Sequence, residues 1–333
     1  MTRIFTDGAE MQDISFWDIT LGVSVASATP AISPYYYINN AQQAYKNFAA
    51  LSECYLRVRY RSNNVNNTSP AFPSFRLDAT VVAALKFNAT GHFQASVTTV
   101  GVVGTSLMVA DNNTWYLIEV WFKEDNAPNG KFVVYVDGNL VIDYTGDTQP
   151  ATATTFNNFY FDQNGGVQGM YDDLALNDTA GVVDNSWCGD GIVVKITPSG
   201  SGTVNNFLNS GSTSGSSNYT YVDEFPSDGD TSNVYVSASS TGDKDQYRMS
   251  TFDGAGKNIL RIYPEARIRK TRGDSSTIEL GYLPSGGTDQ LSGSQTVGIA
   301  YSAVVGTSAS ANPVTGLAWT ASDLNLLEYI IKK

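Results

Sequence analysis

The chain has 333 residues, of which 42% are hydrophobic and 16% charged, with 20 basic and 32 acidic side chains and a formal net charge of −12. That length is too great for one ordinary β-sandwich and comfortable for two domains, and a polar remainder of Ser, Thr, Asn and Gly suits strands and turns rather than helical bundles. So acidic a chain is a poor wrapper of nucleic acid, which needs a positive field, and no stretch approaches the ~18 apolar residues of a membrane span.

The opening, MTRIFTDGAE, lacks a positive segment followed by an apolar one, so the expectation is a protein made and kept, at first, in a cytoplasm. CYLRVRYRS (54–62) alternates cleanly. Leu56, Val58 and Tyr60 take one face of a strand and Arg57, Arg59 and Arg61 the other. The arginine row reads as a solvated face or, alternatively, an anion site. WYLIEVWFKED (115–125) is apolar on both sides. Trp121 beside Glu119 is therefore a candidate sugar platform or interface anchor, with burial as the plainer reading.

KFVVYVDGNLVIDYTGDT (131–148) is a β-hairpin around Asp137–Gly138. A three-residue turn through Asn139 pairs Val136 with Leu140 and Val134 with Ile142. That register gives one wholly apolar face, which a one-residue slip would scramble. NNFYFDQNGGVQGMYDDLALND (157–178) supplies two more strands that close the sheet. The composition then changes at AGVVDNSWCGDG (180–191), and a domain boundary is expected there, giving domains 1–185 and 186–333.

The second domain restarts with a strand at GIVVKITPSG (191–200), passes through a Ser/Gly/Asn-rich loop at 199–218, and continues with strands in 219–224, 233–239, 259–270, 277–283 and 297–305. WTASDLNLLEYIIKK (319–333) carries Thr320 as N-cap with Asp323 three residues on, which predicts a terminal helix over 321–331. The expected fold class is all-β: two β-sandwich, jelly-roll-like domains and a short C-terminal helix.

Residues that carry chemistry are scarce. The one histidine, His92, has no nucleophile context, and no zinc-spaced Cys/His cluster or phosphate loop occurs. Cys54 and Cys188 read as reduced core thiols. The scattered glutamates show no closely spaced pair of the kind sugar hydrolysis uses. Asp172–Asp173, Asp228–Gly–Asp230 and Asp243–Lys–Asp245 offer calcium turns, although aspartates bonding their own backbone explain them as well. No other cofactor or metal is expected. The basic stretch RIYPEARIRKTRGD (261–274) places Arg267 and Arg269 on one strand face, with Lys270 and Arg272 toward the turn, suited to an acidic partner or to compensation within the chain.

WYLIEVWFKEDNAPNGKFVVYVDG and YDDLALND together resemble the laminin-G-like, concanavalin A-like jelly roll, through Trp115, Gly130, Tyr135, Asp137, Gly138, Asp172 and Asp173. The span from DDLALND to PVTGLAWTASDLNLLEYII is similar to structural proteins of tailed bacteriophages. Those resemblances imply a non-enzymatic protein of the virion surface, assembled in the host cytoplasm. Its role would be capsid decoration, or alternatively host-glycan adhesion on a head or tail. Its partners would be major capsid or tail proteins and further copies of itself, a trimer for example, with no nucleic acid and no membrane insertion. Trp121, Glu119, Tyr135, Arg267 and Arg269 are the candidate partner or glycan contacts.

Overall fold

The computed structural model describes the chain apart from residues 1–2, 11, 28–34, 99, 151–153, 163–166, 181–183, 214, 225–227, 229–230, 237–241, 255, 272 and 274. It is all-β, with two compact units, Met1–Val194 and Lys195–Lys333. Residues 186–194, which the sequence reading gives to the second domain, pack with the first unit.

The first unit holds thirteen strands: β1 (Arg3–Asp7), β2 (Ile19–Ala26), β3 (Tyr36–Leu51), β4 (Glu53–Ser62), β5 (Ala71–Leu77), β6 (Thr80–Phe87), β7 (His92–Val97), β8 (Gly101–Val109), β9 (Tyr116–Lys123), β10 (Gly130–Val136), β11 (Asn139–Gly146), β12 (Phe156–Asp162) and β13 (Gln168–Asn177). They hydrogen-bond in the order β11-β10-β9-β4-β13-β3-β12-β5-β6-β7-β8, with β1 added to β13 and β2 to β3. The order doubles back on itself as two layers. Phe75 of β5 stacks on Phe122 of β9 at 5.1 Å, and Gly104 of β8 lies so close to Ile142 of β11 that a Cβ there would stand 2.5 Å from its side chain. Phe72, Phe87, Phe93, Phe132, Phe156 and Phe159 fill the space between, all essentially without exposure.

Within the hairpin, β10 and β11 meet through a two-residue turn, not the three-residue turn expected. Asp137 and Gly138 have φ of 48° and 75°, and Val136 pairs with Asn139. Positive φ at both central residues gives the turn whose twist matches the flanking strands. The mixing of faces that this turn creates ends at a bulge: Tyr135 pairs with Leu140, but Val134 pairs with Ile142, leaving Val141 as the extra residue. Val136, Val134 and Ile142 stay buried, while Leu140 is left half-exposed.

The N-terminal segment is anchored by a buried carboxylate. Asp7 accepts hydrogen bonds from Trp17 Nε1, Tyr37 Oη and the backbone of Ala9. Burial pushes its pKa up to about 6 despite these bonds.

The second unit contains β14 (Pro198–Asn205), β15 (Leu208–Asn209), β16 (Val234–Tyr235), β17 (Lys244–Met249), β18 (Glu265–Ile268), β19 (Thr277–Leu283), β20 (Gln290–Leu291), β21 (Gln295–Thr296), β22 (Ser302–Val305), α1 (Ala321–Asn325) and β23 (Glu328–Lys332). The main sheet runs β14-β17-β23-β19-β20, with β21 on β19; β15–β16 and β18–β22 form two-stranded pairs. Phe207, Ile278, Leu280, Val297 and Val304 make one core cluster, and Tyr282, Trp319, Leu324 and Leu327 another.

Three expectations are corrected here. The Ser/Gly-rich stretch begins as a strand, β14, because Gly202 passes against the backbone of Gln246, where a Cβ would be 2.5 Å away. Residues 218–221 form a single 3-10 turn instead of a strand. The capping box of Thr320 and Asp323 forms, but the helix ends at Asn325. Glu328–Lys332 then becomes a central strand between β17 and β19, where the Ile330–Ile331 pair suits the pleat better than a helix. Part of the strand expected over 233–239 lies outside the described residues; Val234–Tyr235 is β16.

Glu124, just past β9, is 4% exposed, and neither carboxylate oxygen has a hydrogen-bond partner among the described residues. Desolvation pushes its pKa from 4.5 up to about 7. A carboxyl with a raised folded pKa binds its proton more tightly folded than unfolded. Its contribution is therefore most favourable below pH 4.5 and is lost as pH rises through 7; Asp7 acts with the same sign. Glu124→Gln is expected to match the parent near pH 4 and to exceed its stability above pH 7 by about 1–2 kcal/mol, after discounting for solvent screening. Denaturant melts across that pH range measure the difference.

Candidate active site

Three of the five contacts expected from the sequence come together on the outward side of β4, β9 and β10. Trp121 stacks on Tyr55 at 5.6 Å and 16°, and Trp187 meets Tyr55, Trp121 and Tyr135 edge-on at 5.3, 6.4 and 5.0 Å. Trp187 belongs to the segment 186–194, which lies across this face as a strap. Gly189 donates its N–H to Glu119 at 3.0 Å and accepts from Arg57 at 3.1 Å. Val193 donates to Asp173 at 2.6 Å, and Asp190 accepts from Arg59 at 2.7 Å. Cys188 is buried beneath.

The arginine row is therefore not a wet face throughout. Arg57 is 3% exposed, and burial lowers its pKa. Desolvation likewise raises the pKa of Glu119, opposed by the Gly189 N–H. Rings in mutual contact and carboxylates already bonded to the strap make this an internal joint, with its aromatic and ionic groups spent on the chain itself. Arg267 and Arg269, in the second unit, both lie over the ring of Tyr301, at 5.0 and 5.1 Å.

Three of the aspartates proposed for calcium accept hydrogen bonds from backbone and side-chain donors of the chain itself. Asp172 accepts from the N–H of Asp173, Asp228 from Ser232, and Asp245 from Phe207, Asn218 and Tyr247. Asp230 lies outside the described residues. Among those described, no group of three His, Cys, Asp or Glu side chains could hold a metal ion.

The side chains with capacity to spare lie on the outward side of the other layer. In β12, Phe159 and Phe161 face the core, so alternation turns Tyr160 and Asp162 the other way, where Tyr160 is itself largely covered at 8% exposure. In β5, Phe75 in the core does the same for Ser74 and Arg76, with Ser74 buried beneath the Arg76 side chain. Register aligns two cross-strand rows: Tyr45, Tyr160, Ser74, Ala84 and Ser96; and Gln43, Asp162, Ala71, Lys86, Gln94 and Thr105.

Arg76 lies across these rows. Its guanidinium sits 3.9 Å from the centroid of the Tyr160 ring, its Nε–H donates to Ser74 Oγ at 3.2 Å, and one terminal N–H pairs with Asp162. A guanidinium has five N–H donors, so three remain for a ligand. The Tyr45 and Tyr160 rings stack at 4.4 Å. Burial, and then the neighbouring Tyr45, push the Tyr160 pKa up, while Arg76 pulls it down. Burial also raises Asp162, against the pull of Arg76. Asp162 is the one carboxylate in the two rows. His92, whose Nδ1 is buried with no partner among the described residues, stands two residues along β7 from Gln94.

None of these residues was singled out from the sequence. The usable signal was the alternation in FNNFYFD and PSFRLD, where polar side chains interleave with buried phenylalanines.

No family model matches the chain, and no curated protein matches it in sequence. Solved structures similar to it include the endo-β-1,4-glucuronan lyase of the fungus Trichoderma reesei, at 12% identity and TM-score 0.44, with 53% of this chain and 95% of that one covered. The alginate lyase Aly36B is similar at 12% identity and TM-score 0.38, with 54% and 93% covered. The sialidase of Trypanosoma rangeli is similar at 10% identity and TM-score 0.35, and there the chain spans only 29% of the larger protein. These are glycan-processing enzymes. The sequence-based expectation of a non-enzymatic virion protein, decorating or adhesive, finds no counterpart among these structures and is set aside.

The strap account makes a direct prediction. Trp187→Ala is expected to destabilise the first unit by about 1–3 kcal/mol through lost ring contacts. Chemical denaturation checks this, and the loss should be reproduced by Trp121→Ala without addition in the double variant, because the two rings belong to one cluster.

Proposed function

We propose that the first unit is a glycan-active enzyme that binds an acidic polysaccharide across the outward face of β12, β5, β6 and β7 and cleaves it by β-elimination. The observation that carries this reading is the Arg76–Tyr160–Tyr45 stack: a guanidinium with three N–H donors left, fixed over one of two stacked phenol rings.

Elimination at a uronate needs three things. The carboxylate beside the reacting carbon must be neutralised, a base must take the proton at C5, and an acid must protonate the departing O4. Arg76 supplies the first. Tyr160, held in its neutral form by burial and by Tyr45, supplies the acid. Tyr45 as phenolate takes the C5 proton. The C5–H and C4–O4 bonds break, the C4=C5 double bond forms, and Tyr160 gives its proton to O4. The proton on Tyr45 then returns to Tyr160 within the stacked pair. Hydrolysis is the poorer fit, because it draws on two carboxylates and these rows offer only Asp162.

The test is incubation with glucuronan, alginate and neutral glucans, followed by ultraviolet absorbance of the unsaturated uronate and by reducing-end release. The expected result is absorbing product from a uronan and none from neutral glucan. Arg76→Gln and Tyr160→Phe should each lower turnover by about 100-fold or more, with Glu119→Gln near parent rate. Reducing ends without the absorbing product would mean hydrolysis, and no product from any uronan would reject the reading.

A further inference from the structure

The two rows contain a second cation that the proposed chemistry does not use. Lys86 is half-buried on β6, in register with Ala71 on one side and Gln94 on the other. Lys46, Lys123, Lys244 and Lys332 each pair with a carboxylate, and Lys131 bonds Thr145 and lies over the Trp121 ring. Lys86 has no such partner among the described residues, in a chain with 32 acidic side chains.

Its position relative to Arg76 is fixed by strand register. The guanidinium is held at Asp162, and Asp162 pairs with Ala71, which pairs with Lys86. Two strand spacings therefore separate the two positive charges, roughly 10 Å. The floor between them is low, made of Ala71, Ser74 and Ala84. Gln94 and Thr105 continue the row beyond Lys86, bonded to each other at 3.4 Å.

We propose that Lys86 forms a second anion subsite that reads a further carboxylate of the same polyuronate chain, with Gln94 and Thr105 taking hydroxyl groups beyond it. This rests on the glycan reading above and adds to it a chain direction and a length requirement. The polymer runs across the strands, from the Tyr160 phenol toward β8. In an extended ribbon-like uronan, carboxylates recur on one edge at alternate sugars, so a disaccharide engages Arg76 alone, whereas a hexasaccharide engages both cations. Lys86 is then a specificity determinant, selecting a polymer with regularly repeated charge over an isolated acidic sugar.

The experiment measures binding to the full chain carrying Tyr160→Phe, which slows turnover enough to keep the ligands intact, by calorimetry with a di- and a hexasaccharide of glucuronic acid. Adding Lys86→Gln should weaken the hexasaccharide about five- to tenfold and leave the disaccharide within a factor of about two. It should also flatten the salt dependence of hexasaccharide binding, since one screened charge pair is gone. Lys131→Gln, on the opposite layer, should change neither ligand. Equal loss for both ligands, or no loss for the hexasaccharide, overturns the subsite. Arg76→Gln separates the two claims: if it binds both ligands as the Tyr160→Phe chain does, the underlying glycan reading fails. If the Tyr160→Phe chain binds no uronate, both are rejected.

Discussion

Everything in the first unit depends on the closure of two strand layers around interleaved phenylalanines. Phe75 against Phe122, with Phe156 beside both at 5.3 Å, is the joint where β5 meets β9. Strand side chains alternate, so burying Phe75 commits Ser74 and Arg76 to the outside, and burying Phe159 and Phe161 commits Tyr160 and Asp162. The polar rows follow from core packing, and the geometry of Arg76 follows from the rows. A register slip of one residue in either strand would place the guanidinium in the core, where its desolvation cost would forbid folding.

The two outward faces of the sandwich have opposite fates. On β4, β9 and β10, the chain covers its own aromatics and charges with the 186–194 strap, and Glu119, Arg57 and Asp173 are all engaged by strap or neighbouring backbone. On β12, β5 and β6, Arg76 keeps donors in reserve and Lys86 keeps its charge unspent. A functional site is better sought where polar capacity exceeds internal demand than where residues of a suggestive type are concentrated.

That distinction explains what was legible in the sequence. The all-β class, the alternation of β4, the hairpin of β10 and β11 and the Thr320–Asp323 capping box are local patterns, and the structure contains each of them. Trp121, Glu119 and Tyr135 lie on adjacent paired strands, but nothing local announces that residues 186–194 return to cover them. Arg76 and Tyr160 are 84 positions apart and meet only because β12 pairs with β5, a long-range pairing invisible to periodicity. The terminal helix was overextended for a related reason: the capping signal is local to its first turn, whereas the strand character of Glu328–Lys332 is fixed by β17 and β19 on either side. The hairpin turn was misassigned because a bulge at Val141, which restores the faces, carries no sequence mark of its own.

A crystal structure of the Tyr160→Phe chain soaked with a glucuronic acid hexasaccharide tests the central claim most directly. The account requires sugar density running across β12, β5 and β6, with a carboxylate on the free N–H groups of Arg76. Sugar seated instead on the Trp121–Trp187 face, or density that leaves Arg76 untouched, would contradict it.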